Sequence, residues 1–172
     1  FGINVSAVQL KQSGFANFVI GELAAAGLPA ARLVLEITET VFLDFGSVER
    51  ANLEGLRAAG VMIVLDDFGS GFASLQYLRK FRFDCLKIDK SYVHAAGTSE
   101  VDMTFVTAIT ELARALGTRV LAEGVETEEQ YLLMKAAGCQ VFQGYYFGRP
   151  ASLPEAVSPP TVPERERVAA SC

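Results

Sequence analysis

The 172-residue chain has no tryptophan, one histidine (His94) and three cysteines, Cys85, Cys139 and Cys172. A single histidine excludes histidine-clustered metal sites, zincin motifs and histidine-rich hydrolases. The cysteines are scattered, with no C-x-x-C. An odd, unpaired set points to reduced thiols and a cytoplasmic setting, with Cys85 and Cys139 read as small buried apolar residues. No apolar run approaches the roughly 18 residues that a membrane-spanning helix needs. Basic residues are also in deficit: 15 against 20 acidic ones leave a net charge of −5. That balance gives no electrostatic reason to bind a nucleic-acid polymer or an anionic membrane. Proline is sparse until the end, where Pro154, Pro159, Pro160 and Pro163 are four of the six in the chain. Residues 1–150 therefore read as one folded domain, and 151–172 as a linker or disordered tail.

Apolar residues make up 51% and charged residues 20%, which suits a single packed domain and excludes general disorder. The chain begins at Phe1, inside the apolar run Phe1–Val5, with neither signal peptide nor polar lead-in. It reads as part of a longer protein.

A weak repeat runs along the domain. Small residues and a glycine close a helical stretch, an apolar run follows, and a polar residue ends it. Ala24–Gly27 precedes Arg32–Glu36, and Ala58–Gly60 precedes Val61–Asp66. Ala115–Gly117 precedes Arg119–Glu123, and Ala136–Gly138 precedes Gln140–Gln143. Glycine in that position adopts the left-handed conformation that stops a helix. Phe1–Val5 and Asp84–Asp89 add two more runs, for six strands in all. The runs are continuous rather than alternating, as in parallel strands buried on both faces. Among the helices, Phe15, Phe18, Val19 and Leu23 line one. Val101, Phe105, Ala108, Ile109, Leu112 and Leu116 form the stripe of another. Thr127 with Gln130 is a capping box. The phenylalanines at 42, 45, 68, 72, 81 and 83 read as core, and His94 as a surface residue. Alternating strands and helices imply a doubly wound sheet or a (β/α) barrel. Strand-end polar residues recur about every 28 residues, so an eight-unit barrel needs about two more units than the chain holds.

In a parallel barrel the C-terminal strand ends meet at one mouth. Here that mouth receives Asn4, Glu36, Asp66, Asp67, Lys87, Glu123 and Gln143. Carboxylates facing one another repel unless a cation lies among them, and oxygen donors without histidine suit magnesium, manganese or calcium. Adjacent Asp66 and Asp67 suit a two-metal site that activates water and clamps a phosphoryl group. Lys87 adds a charge able to hold or polarise the attacking water. The plainer alternative is that a strand-end acid caps the next helix. Asp67 can merely order the following loop, and Glu39 and Glu126 can be ordinary helix-start acids. Phe68–Phe72 is a glycine-bearing loop whose lone G-x-G is weak as a phosphate signal.

These segments together resemble the EAL domain family of bacterial cyclic di-GMP phosphodiesterases. The motifs are Asn4–Ala7 with Gln9–Leu10, Leu35–Thr40, Asp66–Phe72, Leu86–Asp89, Ala122–Thr127 and Gln143–Tyr145. The resemblance implies a (β/α)8 TIM-like barrel, α/β in class, with about the first two βα units missing. It implies hydrolysis of cyclic di-GMP to linear pGpG with two Mg2+ or Mn2+ ions. By motif, Asn4, Glu36 and Asp66 resemble ligands of one metal, and Asp66 with Asp67 those of a second. Lys87 resembles the residue that contacts the nucleophilic water, and Glu123 a general base or second-metal ligand. Glu39 resembles the anchor of the loop holding Gly69, Ser70, Gly71 and Phe72, associated with a homodimer contact after Asp67. Gln143 resembles a polar residue beside the second metal or its water, and Asp89 and Glu126 resemble supporting groups. Ser70 and Phe72 stand where threonine and tyrosine are usual, and the Glu-Ala-Leu signature is not in the chain. Upstream sensory or GGDEF domains fit such a parent. Two other readings stand beside it: an inactive EAL-like nucleotide receptor or protein-interaction module, and another carboxylate-metal barrel enzyme of enolase type.

Overall fold

A computed structural model describes residues 1–69, 78 and 81–150. The expected tail and the loop residues Ser70, Gly71 and Phe72 lie outside them. The chain divides into two compact units, residues 1–86 and the part from Lys87 onward. The division falls inside a strand.

The first unit holds β1 (Gly2–Asn4), β2 (Val34–Thr38) and β3 (Met62–Phe68). All pair in parallel, with Asn4 opposite Glu36, Glu36 opposite Val64 and Thr38 opposite Asp66. Parallel neighbours need a crossover, and helices supply it: α1 (Ala7–Leu10) and α2 (Phe15–Ala25) join β1 to β2. A 3-10 helix, Glu39–Asp44, and α3 (Ser47–Ala58) join β2 to β3. Leu35, Ile37, Leu53, Leu56 and Ile63 are fully buried, each contributing about 1.5–3 kcal/mol. Phe42, Phe81 and Phe83 pack edge-on, with Phe42–Phe83 and Phe81–Phe83 centroids 5.6 and 5.0 Å apart. Phe45 is tilted against Phe42.

Two polar side chains act as struts. Ser6 and Gln9 form a capping box that starts α1 directly after β1. Buried Asn52 of α3 donates to the carbonyls of Leu10 and Gln12 at 2.8 and 2.9 Å and accepts from Ala16 N–H. It holds the corner between α1 and α2.

Strand β4 (Cys85–Ile88), at the division between units, is buried throughout. The second unit holds α4 (Lys90–Ala95), α5 (Glu100–Leu116), β5 (Arg119–Glu123), α6 (Glu128–Ala136) and β6 (Val141–Gln143). β5 and β6 are parallel, with Glu123 opposite Gln143. Thr127 and Gln130 form the expected capping box. Gly117 ends α5 in the left-handed conformation, and Gly27, Gly60 and Gly138 also have positive φ after their helices.

Two helix faces differ from the expectation. On α5 the buried residues are Val106, Ile109, Thr110 and Ala113, while Val101 is 79% and Phe105 39% exposed. The helix carries two apolar stripes, and packing selected the one with small residues. Thr110 comes close enough there for its hydroxyl to donate to Ala137 O. Phe105 instead stacks on Tyr92 of α4, centroids 4.9 Å apart. On α2, Phe15 and Val19 are buried but Phe18 is exposed.

Candidate functional site

Register decides which site residues meet in the first unit. Parallel partners share a face, and residues two apart on a strand share it too. Asn4, Glu36 and Asp66 therefore stand on one face near the C-terminal ends of three adjacent strands. Asn4 is exposed, Glu36 half-buried and Asp66 buried. Gly2 lies on the same face, two residues before Asn4. A Cβ there would sit 2.9 Å from Glu36 Oε1, so the glycine leaves room for that carboxylate. Sequence reasoning missed Gly2, although glycine inside a strand is a known mark of close approach.

Asp66 Oδ1 accepts the N–H of Asp67 at 3.0 Å. Asp67 is exposed and has a φ of 54°, a conformation Asp tolerates better than most residues but at a cost. The strand ends one residue later at Phe68, and the glycine loop follows. Buried Glu39 accepts the Gly69 N–H at 2.6 Å, fastening the first residues of that loop to the end of β2.

The second unit gathers a different set. Lys87 is buried, and its Nζ lies 3.1 Å from Glu123 Oε2. Gln143 stands opposite Glu123 in the ladder. The turn after β6 is unusually close: Val125 N–H donates to Gln143 O, and Tyr146 N–H to Val125 O, both at 3.0 Å. A Cβ on Gly144 would fall 2.1 Å from Val125 O, so only glycine fits. At the start of β6, Gln140 Oε1 accepts Val120 N–H at 2.7 Å, which pins the β5–β6 register. Asp84 does the same before β4, accepting Ile63 N–H at 2.8 Å. Neither strut was read from sequence; the available signal was a polar residue at the entrance of an apolar run.

Asp89 caps α4, accepting Ser91 N–H at 2.8 Å. Hydrogen bonding from the Ser91 side chain, joined by this backbone bond and the nearby Lys90 charge, holds its carboxyl below the usual aspartate value. Glu126 is half exposed and faces His94, with Oε1 3.9 Å from Nε2. His94 is exposed, as expected. Cys85 and Cys139 are buried thiols, and burial pushes Cys139 up to about 12.

Amide and carboxylate oxygens at strand ends form the donor set of a hard divalent cation. Among the described residues, no three His, Cys, Asp or Glu side chains are grouped as they would be around an ion. The first-unit set supplies two carboxylates and one amide. Its donor chemistry fits such an ion.

Parallel α/β architecture with oxygen donors near strand ends defines a class of α/β proteins suited to a hard divalent cation. Comparison makes the assignment sharper. Residues 1–150 match the EAL domain, and the chain belongs to that family. It is 44% identical over 151 residues to an uncharacterized signaling protein of Caulobacter vibrioides, covering 87% of this chain and 18% of that one. It is 40% identical over 149 residues to the cyclic di-GMP phosphodiesterase PdeL of Escherichia coli K12, covering 87% of this chain and 41% of that one. The chain thus spans less than half the length of these relatives. Among solved structures, the PaMucR phosphodiesterase in complex with c-di-GMP superposes with a TM-score of 0.83 at 35% identity, over 91% of this chain and 63% of that one. A manganese/cyclic-di-GMP complex of Klebsiella pneumoniae BlrP1 gives 0.80 at 32%, over 87% and 38%. The α/β fold expected from the sequence is that of the EAL structures. Among the described residues, no helix is long and apolar enough to cross a membrane.

Proposed function

We propose that this chain is the part of a cyclic di-GMP phosphodiesterase that carries most of its catalytic groups, and that the product is linear pGpG. The observation that supports it most is the shared face of Asn4, Glu36 and Asp66, which sets oxygen donors side by side on three parallel strands. Asn4, Glu36 and Asp66 would hold one divalent ion, Mg2+ or Mn2+, and Asp66 with Asp67 a second. Bound there, the ions would supply Lewis-acid charge that lowers the pKa of water and neutralises the phosphoryl oxygens. The crystallised relative with manganese and cyclic di-GMP supports that choice.

The chain's own groups do the rest. Lys87 Nζ, held by Glu123, presents a fixed positive charge that orients the attacking water by hydrogen bonding. We assign Glu123, a third exposed on its side chain and 3.1 Å from that ammonium, to take the water's proton. Gln143, beside Glu123 on the neighbouring strand, orients the water or the substrate phosphate. Asp89 and Glu126 act at one remove: Asp89 fixes the start of α4 just past Lys87, and Glu126 extends the segment that begins at Glu123. Glu39 sets the loop after Asp67, which we assign as the contact of a homodimer.

The deciding experiment is cyclic di-GMP turnover with Mg2+ or Mn2+, followed by chromatography for pGpG. Asp66→Ala and Glu36→Ala are each expected to lose activity by 100-fold or more, on the order expected for loss of charge stabilisation at a phosphoryl centre. Undiminished turnover in either variant refutes the assignment. Calorimetric binding of cyclic di-GMP with no product favours the receptor reading instead.

A further inference from the structure

We propose that Gly124 is a positioning residue: it lets the start of α4 close on the end of β5, and so sets the approach of the Lys87 ammonium to the Glu123 carboxylate. This rests on the phosphodiesterase reading and deepens it, since that reading uses the pair and leaves its spacing unexplained.

Two contacts join the same two stretches of chain. One is the ion pair itself, Lys87 Nζ to Glu123 Oε2 at 3.1 Å. The other lies just past each partner, between Gly124 and Lys90. A Cβ built on Gly124 would stand 2.8 Å from the Lys90 Cβ and 3.7 Å from its Cα. Carbon atoms in contact keep about 3.5–4.0 Å apart, so a side chain at 124 requires the two stretches to part by about 1 Å. The Lys90 Cβ cannot swing aside, because it is fixed to the first turn of α4, which Asp89 caps through Ser91 N–H. Nor can the segment after Glu123 draw back freely. Val125 N–H donates to Gln143 O, Val125 O accepts from Tyr146 N–H, and Gly144 packs against the Val125 backbone.

The displacement therefore falls on the Lys87–Glu123 pair, which stands next to the collision. Misplacing a reacting group by about 1 Å can cost about 100-fold in rate. Asn4, Glu36 and Asp66, assigned above to the metal, belong to the first unit and lie outside this contact. The loss is thus expected in kcat rather than KM. Gly124 also has a φ of 77°, which favours glycine for a local reason. The two requirements are separable. The φ belongs to residue 124 alone, whereas the collision needs the Lys90 Cβ. Lys90 is exposed and has no part in the proposed chemistry. His94 Nε2, at 3.6 Å from the added Cβ, is in ordinary contact. Removing the Lys90 Cβ accordingly reopens the space and leaves φ as it was.

The test uses the full 172-residue chain with Mn2+ as wild type, Gly124→Ala, Lys90→Gly and the double variant. Cyclic di-GMP hydrolysis gives kcat and KM. Acetic anhydride labelling with peptide mass mapping gives the reactivity of Lys87, which is buried in the wild type. Gly124→Ala is expected to lower kcat about 30-fold with KM within about threefold, and to raise Lys87 labelling about fivefold. Lys90→Gly alone is expected to keep kcat within about threefold of wild type. In the double variant kcat is expected to recover about fivefold or more, with Lys87 labelling falling back toward wild type. Should Gly124→Ala not fold by circular dichroism, the double variant is expected to fold and turn over, and failure of both overturns the proposal. Unchanged kcat or unchanged Lys87 labelling in Gly124→Ala overturns it too. So does a double variant no better than Gly124→Ala, which assigns the loss to φ alone. Each of these leaves the phosphodiesterase reading intact. A wild-type chain without turnover overturns that reading, and the proposal with it.

Discussion

Replacing the two partners of the Lys87–Glu123 pair separately is expected to have unequal effects on stability and the same effect on activity. Lys87 is 5% exposed and its ammonium lies 3.1 Å from Glu123. At that separation the attraction is about 5 kcal/mol for an effective dielectric of 20 and about 1 kcal/mol in water. The Glu123 side chain is 34% exposed, so solvent draws the working value toward the lower figure. Against it stands the cost of burying the ammonium, several kcal/mol before relaxation. Glu123→Ala removes the attraction and leaves the burial cost, for an expected loss of about 2–3 kcal/mol. Lys87→Met removes both and keeps the volume, so its stability is expected within about 1 kcal/mol of wild type. Urea unfolding followed by circular dichroism measures both, and cyclic di-GMP hydrolysis is expected to fall sharply in each. If Lys87→Met proves as destabilising as Glu123→Ala, the burial cost has been overstated and the lysine's charge is itself a net support of the fold.

Two further outcomes follow from local geometry. Gly144→Ala places a methyl group 2.1 Å from the Val125 carbonyl oxygen and 2.3 Å from its nitrogen, both backbone atoms that no rotamer change can move. A loss of about 3 kcal/mol or more is expected, measured by thermal unfolding; a neutral variant would show that the turn is looser than described. Asp89→Ala removes the cap of α4, for an expected cost of about 1 kcal/mol at neutral pH. Because the folded value of Asp89 is depressed, its contribution is full above the ordinary 3.8 and is lost as the pH falls through the lowered value. The gap between wild type and variant should therefore close in strong acid, and a gap that persists there would point to a purely steric role.

Much of the candidate site's placement in the fold was legible along the chain. An apolar run ending in a polar residue is a local pattern, and it put Asn4, Lys87, Glu123 and Gln143 at or next to strand ends, while β2 and β3 run two residues past Glu36 and Asp66. The capping box at Thr127 and the helix-ending glycines were legible for the same reason: each depends on a few consecutive residues. The buried stripe of α5 was not. Both of its stripes are apolar enough to read as core, and the choice fell to the shape of the surface it met, where Thr110 and Ala113 fit closely.

By itself, then, the sequence determined the order of strands and helices, the hard-oxygen character of the strand-end residues and the family to which the chain belongs. Only the tertiary structure decided that Asn52 braces a corner some 40 residues away, that Gly2 and Gly144 stand where a methyl group would collide, and that Lys87 is buried against Glu123. The physical reason is range. Periodicity and capping are set by neighbours in the chain, whereas a collision or an ion pair between distant residues exists only once packing and register have brought their atoms together.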